Sequence, residues 1–187
     1  MTDDPGQLCR AAAGGDEAAA RQLVLLHYER VYAWFRRLAG NEAEAADLTQ
    51  KTFVRVWASL DRFKGQSSFS TWLHGIGRHV YLDWCRRDRL ANRAKEPWWQ
   101  EPAVEGPSPL DTLAERELAE QLYTVVEELD EQTRQTVHLH YYQGLSLAET
   151  ATVLGVATST VKYRLRQALQ TIRRRLEARN VKPFRSL

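Results

Sequence analysis

The 187-residue chain carries 26 Lys and Arg against 24 Asp and Glu, a formal net charge of +2, and only two cysteines. That length suits one domain or two small ones, no apolar run reaches spanning length, and Cys9 and Cys85 form no metal-type pair. The first residues, MTDDPGQLCRAAAGGDEAAA, lack the basic start and apolar core of a signal peptide, so a cytoplasmic protein is expected.

The charge is unevenly placed. Residues 101–131 hold ten acidic side chains and one basic, a net of −9, whereas residues 159–187 hold nine basic and one acidic, a net of +8. Residues 71–95 hold six basic and two acidic, a net of +4. Two basic segments flanking an acidic one suit two contacts with a polyanion, because phosphate binding is chiefly electrostatic. Solvated helix faces generate similar blocks. The acidic segment raises a further expectation: that it folds back on the basic helix 159–176 and masks it through Glu115, Glu117 and Glu120.

Helical periodicity runs nearly throughout and strand signals are almost absent. The expected fold is all-α: two small helical domains, 10–95 and 112–180, joined by a proline-rich linker over 96–111. Leu23, Leu26, Val31, Trp34, Phe35 and Leu38 define a first amphipathic helix ending near Gly40-Asn41. A second helix runs from about Glu42 to Leu60. Phe53, Val56, Trp57 and Leu60 share its apolar face, and Asp47, Gln50, Lys51 and Arg55 share the other.

The stretch DRFKGQSSFSTW follows, Asp61 to Trp72. Gly65 allows a turn, Ser67, Ser68, Ser70 and Thr71 offer short hydroxyls, Lys64 adds charge, and Phe63, Phe69 and Trp72 are aromatic. Bases parted from a duplex are held by such a mixture, although Phe69 and Trp72 fit better as core plugs that fix the loop. A third helix, from near Ser70 to about Arg89, puts Trp72, Leu73, Ile76, Val80 and Trp84 on one broad side. Arg78, His79, Arg86 and Arg89 point away from it. The segment Glu96 to Pro109 then holds four of the six prolines, which remove backbone donors and fix φ. Trp98 and Trp99 within it call for burial against a domain or a partner.

Leu118, Leu122, Val125, Val126 and Leu129 open the second helical unit, which ends in GLSLAETATVLGVATSTVKYRLRQALQTIRRR, Gly144 to Arg175. Ser146 and Glu149 have the spacing of a capping box. Gly155 can stop that helix in a left-handed conformation, and Thr158 or Ser159 can cap the next. Val161, Leu165, Ala168, Leu169, Ile172 and Leu176 then fall on one stripe. Ser159, Tyr163, Arg166 and Gln167 project opposite, with Lys162 and Arg164 on the flanks. A short helix, a tight turn and a basic helix held by one face make a helix-turn-helix suited to the major groove. A core-packed hairpin with a solvated basic face has the same pattern.

Catalytic signals are missing. His138 and His140 lie about 200° apart on a helix and cannot share an ion, and His27, His74 and His79 have no Cys or carboxylate at ligand spacing. No glycine-rich phosphate loop, nucleophile elbow or zinc-hydrolase motif occurs. No enzyme activity, metal or cofactor is expected.

The run DLTQKTFVRVWASLDRFKGQSSFSTWLHGIGRHVYLDWCRRDR, Asp47 to Arg89, together with GLSLAETATVLGVATSTVKYRLR, resembles the extracytoplasmic-function (ECF) group of bacterial sigma-70 factors. The resemblance covers most of residues 20–178. It implies two DNA-binding helical domains, with core RNA polymerase, promoter DNA and an anti-sigma factor as partners. It further implies that Asp47, Gln50, Lys51 and Arg55 contact polymerase, with Phe53 and Trp57 supporting that surface from within. Lys64, Gln66, Ser67 and Ser68 would capture a flipped base of the −10 element, and Arg78, His79 and Arg86 would contact DNA beside it. Thr158, Ser159, Thr160, Lys162, Tyr163, Arg164, Arg166 and Gln167 would face the −35 duplex.

Three positions depart from the family's common pattern: His79 stands in place of asparagine, Gly75 in place of arginine, and Tyr163 in place of serine. Imidazole cannot present a donor and an acceptor side by side as an amide does, so base preferences cannot be copied from relatives. Two other readings stay open on sequence. A stand-alone helix-turn-helix regulator with a sensing or dimerising N-terminal domain would bind paired half-sites without polymerase. A helical enzyme with a DNA-binding tail would need a pocket of perturbed titratable groups.

Overall fold

The computed structural model describes residues 5–88 and 113–179. The expected linker 96–111, Trp98, Trp99 and Arg89 lie outside them. The described residues are helical: α1 Pro5–Ala13, α2 Glu17–Ala39, α3 Glu42–Trp57, a 3-10 turn at Leu60–Arg62, and α4 Phe69–Asp88. After residue 113 come α5 Leu113–Glu127, α6 Glu131–Val137 continuing into a π turn at His138–Tyr142, α7 Leu147–Leu154 and α8 Thr158–Ala178. None of these helices is long and apolar enough to cross a membrane.

Local chemistry sets the ends. Asp16 caps α2 by accepting from the N–H groups of Ala18 and Ala19, and Asn41 caps α3 by accepting from Glu44. At α7 the capping box forms as its spacing predicts: Glu149 N–H donates to Ser146 Oγ at 3.2 Å, and Ser146 N–H to Glu149 Oε2 at 3.0 Å. Gly155 ends α7 with φ at 65°, a left-handed backbone that side chains with a Cβ resist. The expected cap of α8 by Thr158 or Ser159 is corrected. The chain turns helical one residue earlier, leaving Ala157 as N-cap with no side-chain bond.

Helices α2, α3 and α4 enclose Leu23, Val31, Trp34, Phe35, Leu38, Leu48, Val56, Leu73 and Tyr81. That core does not stop at the first unit; Leu139, Leu145, Val153 and Leu154 belong to it. A second cluster of Val126, Leu129, Val137, Ala151, Val161, Leu165 and Ala168 joins α5, α6, α7 and α8. Three residues of the expected apolar stripes, Leu26, Leu122 and Leu169, lie outside. Leu26 is 53% exposed, because the inward stripe of α2 runs through His27, whose ring packs 5.1 Å from Phe69. Leu169 is exposed because Ala168 and Ile172 carry the stripe past it.

At Gly77, α4 lies directly against aromatic side chains of α2. A Cβ there would stand 2.8 Å from the Trp34 ring and 3.3 Å from the Phe35 ring, whereas one at Gly75 would meet nothing within 4 Å. Overpacking of this kind costs about 1–3 kcal/mol. Gly77→Ala is therefore expected to lower unfolding stability by about that amount, while Gly75→Ala gains up to about 1 kcal/mol of helix propensity. Urea titrations of the two variants check the contrast.

Burial, aided by His74 and Arg30, lowers the His27 pKa to about 4, and burial lowers that of His74 as well. In the unfolded chain histidine titrates near about 6.5. Between those values the unfolded state binds more protons, so stability is present above the window and falls as pH drops through it. Melting temperature is expected to decline from about pH 6.5 to pH 4.5, above the range of ordinary carboxylates. His27→Gln should shallow that slope; an unaltered slope in thermal melts would count against His27 as a source.

Candidate nucleic-acid interface

Helix α3 turns one face to solvent. Gln50, Lys51 and Arg55 are exposed there and Asp47 is half-buried. Asp47 is ion-paired with Lys51, and Arg55 reaches across to Asp83 of α4 at 2.9 Å. Phe53 is buried against the Tyr28 ring, and Trp57 is half-buried against the core. Val54, absent from the expected set, is 60% exposed in the middle of this surface. Its signal was present in the sequence: an apolar residue at a position whose helical neighbours are Gln50, Lys51 and Ala58.

The loop 63–68 stands on an aromatic base. Phe63, Phe69 and Trp72 touch one another at ring-centre distances of 5.1, 5.8 and 5.9 Å. Lys64 and Gln66 are exposed above it, Ser67 is half-buried, and Ser68 caps α4 by accepting from the Thr71 N–H. Along α4, His79 is exposed and its Nδ1 lies 2.8 Å from the Gly75 carbonyl. Arg86 is exposed beside Asp83. Arg78 is half-buried, and burial, with the neighbouring Arg164 charge, lowers its pKa.

On α8 the N-terminal half presents Ser159, Lys162, Tyr163, Arg166 and Gln167 to solvent, with Thr158, Thr160 and Arg164 half-buried. Gln167 Nε2 donates to the Tyr163 hydroxyl at 2.6 Å. Arg164 departs from this strip and donates to the Gln132 side chain of α6. The far end of α8 is neutralised instead: Arg175 and Arg179 both pair with Glu128, just past the end of α5. The expected masking by Glu120 is not seen among the hydrogen bonds of the described residues, and the side chains of Glu115 and Glu117 lie outside those described.

The two halves meet along α4 and α7. Ser68 Oγ and Thr71 Oγ1 donate to Glu149 Oε1 at 2.9 and 2.8 Å. Hydrogen bonds from the Ser146 backbone and hydroxyl, then from Thr71 and Ser68, hold the Glu149 pKa at about 2. Neither Glu149 nor Thr71 was among the expected site residues. His138 and His140 do not converge: His138 is fully buried with its ring 5.3 Å from that of Tyr142, and His140 Nδ1 lies 2.7 Å from the Leu145 carbonyl.

The family described as Sigma-70 region 2 matches residues 23–90, which hold most of α2, all of α3, the aromatic-based loop and α4. Sigma-70 region 4 matches residues 119–172, which hold α6, α7 and most of α5 and α8. The ECF RNA polymerase sigma factor SigE of Mycolicibacterium smegmatis is 34% identical over 176 residues, 92% of this chain and 68% of that protein. The chain belongs to the ECF sigma factors. SigW of Bacillus subtilis, another ECF sigma factor, is 26% identical to this one across 87% of the chain and 91% of its own length. Two solved structures share the fold. CnrH in complex with the cytosolic domain of CnrY has a TM-score of 0.67 and 27% identity, covering 91% of this chain and 96% of that one. The sigma factor RpoE of Bartonella quintana, in complex with the anti-sigma factor NepR, has a TM-score of 0.68 and 25% identity, covering 84% and 96%.

Proposed function

We propose that this sigma factor binds core RNA polymerase and directs initiation at its promoters, opening the −10 region with its N-terminal unit and reading the −35 duplex with α8. The boundaries put forward are 10–95 and 112–180, joined by the linker 96–111. The observation that carries the reading is the pairing, in one chain, of two different nucleic-acid surfaces. One is an exposed, hydroxyl-rich loop on a rigid aromatic base; the other is a helix-turn-helix whose reading helix keeps an exposed polar and basic strip.

Asp47, Gln50, Lys51 and Arg55 on α3 form the polymerase-facing surface, with Val54 at its centre and Phe53 and Trp57 beneath. Lys64, Gln66, Ser67 and Ser68 receive an unstacked base, a role suited to short polar groups beside a cation. Arg78, His79 and Arg86 lie on the helix that follows and contact the adjacent DNA. On α8 Lys162, Arg164 and Arg166 supply phosphate and base contacts, flanked by Thr158, Ser159 and Thr160. The protein works without chemistry of its own, in the cytoplasm, and an anti-sigma factor is a partner, as NepR is for RpoE.

The deciding experiment adds the purified chain to core polymerase on a promoter selected from a random library. Specific transcription that depends on the chain is expected; tight operator binding with no dependence on polymerase would overturn the reading. Within that assay Arg166→Ala should weaken −35-dependent initiation by about 1–3 kcal/mol, the scale of one good base or phosphate contact. Lys64→Ala and Ser67→Ala should slow strand opening, followed by permanganate reactivity, more than they weaken closed-complex binding.

Tyr163 and Gln167 act as a pair. With one amide hydrogen engaged by the phenol, the remaining N–H and the carbonyl of Gln167 are oriented together, the arrangement that suits adenine. Tyr163→Phe should relax discrimination at the base pair opposite Gln167 while leaving the salt dependence of binding unchanged. Competition among randomised −35 duplexes measures it, and an unchanged preference would remove the orienting role.

A further inference from the structure

One carboxylate stands between α3, assigned to polymerase, and the DNA-contacting end of α4. Arg55, in the last turn of α3, donates from its guanidinium to Asp83 Oδ2 at 2.9 Å. Arg86, one turn further along α4, lies 3.5 Å from Oδ1 of the same side chain. The two arginines are not held alike. Arg55 makes a hydrogen-bonded ion pair, whereas Arg86 stands beyond good hydrogen-bond range and its side chain is 74% exposed. Trp84, the residue after Asp83, donates its Nε1 to Glu44 at 2.7 Å, in the first turn of α3. This stretch of α4 is therefore tied to both ends of α3, and the Asp83 backbone cannot follow Arg86 outward.

The surroundings of Asp83 give that difference its meaning. The Arg55 hydrogen bond, then the charges of Arg55, Arg86 and Arg87, hold the Asp83 carboxyl below the usual carboxylate range, so it is ionised at neutral pH. An ionised carboxylate beside a phosphate-contacting arginine competes with the phosphate for the same guanidinium. Residues three apart on a helix are neighbours, so Arg86 is the ready partner of Asp83 whenever no other cation takes it. Arg55 supplies that cation from a different helix. Lys51 and Asp47, by contrast, cancel each other one turn apart on α3. Of the charged residues assigned to polymerase, Arg55 is the one whose ion pair crosses to α4 among the described residues.

We propose that Asp83 is a positioning residue for promoter binding, and that Arg55 occupies it so that Arg86 stays free for the DNA beside the −10 element. Arg55 thereby serves the DNA surface from the polymerase-facing helix. With five N–H donors, its guanidinium keeps Asp83 and still has donors to present outward. The pair also links the two surfaces, because a partner that pulled Arg55 off Asp83 would return the carboxylate to Arg86. The proposal rests on the assignment of Arg86 to DNA.

The test saturates core polymerase with each full-length variant and measures binding to a promoter fragment, and to the same fragment with its −10 element scrambled. Saturation removes any effect of Arg55 on polymerase affinity. Arg55→Ala should weaken −10-dependent binding about threefold to fivefold, the upper range for an exposed ion pair. Arg55→Lys keeps a cation there and should lose less. Adding Asp83→Asn to Arg55→Ala keeps an acceptor, removes the charge and should restore −10-dependent binding. In an Arg86→Ala background the same addition should restore nothing, a dependence that a general repair of folding would not show. A double variant that binds as weakly as Arg55→Ala would overturn the proposal, and so would restoration that survives Arg86→Ala. If Arg86→Ala alone leaves binding unchanged, the assignment of Arg86 to DNA fails and the proposal fails with it. A loss in Arg86→Ala without restoration by Asp83→Asn sinks the proposal alone.

Discussion

Helix α4 is packed from two sides, and the placement of both reading surfaces follows from that constraint. On one side Gly77 lets the Trp34 and Phe35 rings come within contact distance, so α2 fixes its axial position. On the other, Phe69 and Leu73 share a core with Val153 and Leu154 of α7. A helix pinned on both sides has little freedom to rotate. Its first turn therefore holds Ser68 at a defined place, and the loop before it inherits that order through the Phe63, Phe69 and Trp72 cluster. The polar strip of α8 is positioned in turn by α7, through the core residues Ala151, Val161 and Leu165.

Charge is arranged so that the acidic segment neutralises only part of the basic one. Glu128 takes Arg175 and Arg179 at the C-terminal end of α8, while Glu127 and Glu131 take Arg134, which is nearly buried. The surface pairs contribute little stability, about 0–1 kcal/mol each; their effect is on the field of the molecule. The positive end of α8 is dampened where it packs on its own unit, and Lys162 and Arg166 are left among the described ion pairs without a carboxylate. The potential that a phosphate meets is thereby concentrated on the N-terminal half of the helix, where Tyr163 and Gln167 also stand.

Local patterns were legible in the sequence where a single physical rule decides them. The capping box of Ser146 and Glu149, the left-handed stop at Gly155, the end of α2 before Gly40 and the aromatic loop base all have short-range causes, and all appear at the residues that sequence indicated. Failures came where two candidates competed for one direction. Leu26 outranks His27 in hydrophobicity, yet the stripe of α2 passes through His27, because the phase of a helix is fixed by the sum of its anchors and not by each residue's own preference. Val54 failed in the opposite sense: a β-branched residue on a polar face is easily taken for noise, and its meaning depends on whether something covers it. Arg164 reads as one of a basic series, and only the fold turns it toward Gln132 and Arg78.

The junction between the halves was the least readable feature, and Glu149 shows why. Its position three residues after Ser146 fully accounts for it as a capping group, so no unexplained residue remains to signal a second task. A carboxylate has two oxygens, and the cap uses Oε2 from the Ser146 N–H; Oε1 remains free to accept from Ser68 and Thr71, about eighty positions earlier in the chain. Nothing in the spacing of residues near 70 or near 149 encodes that meeting, since it depends on how α4 and α7 pack.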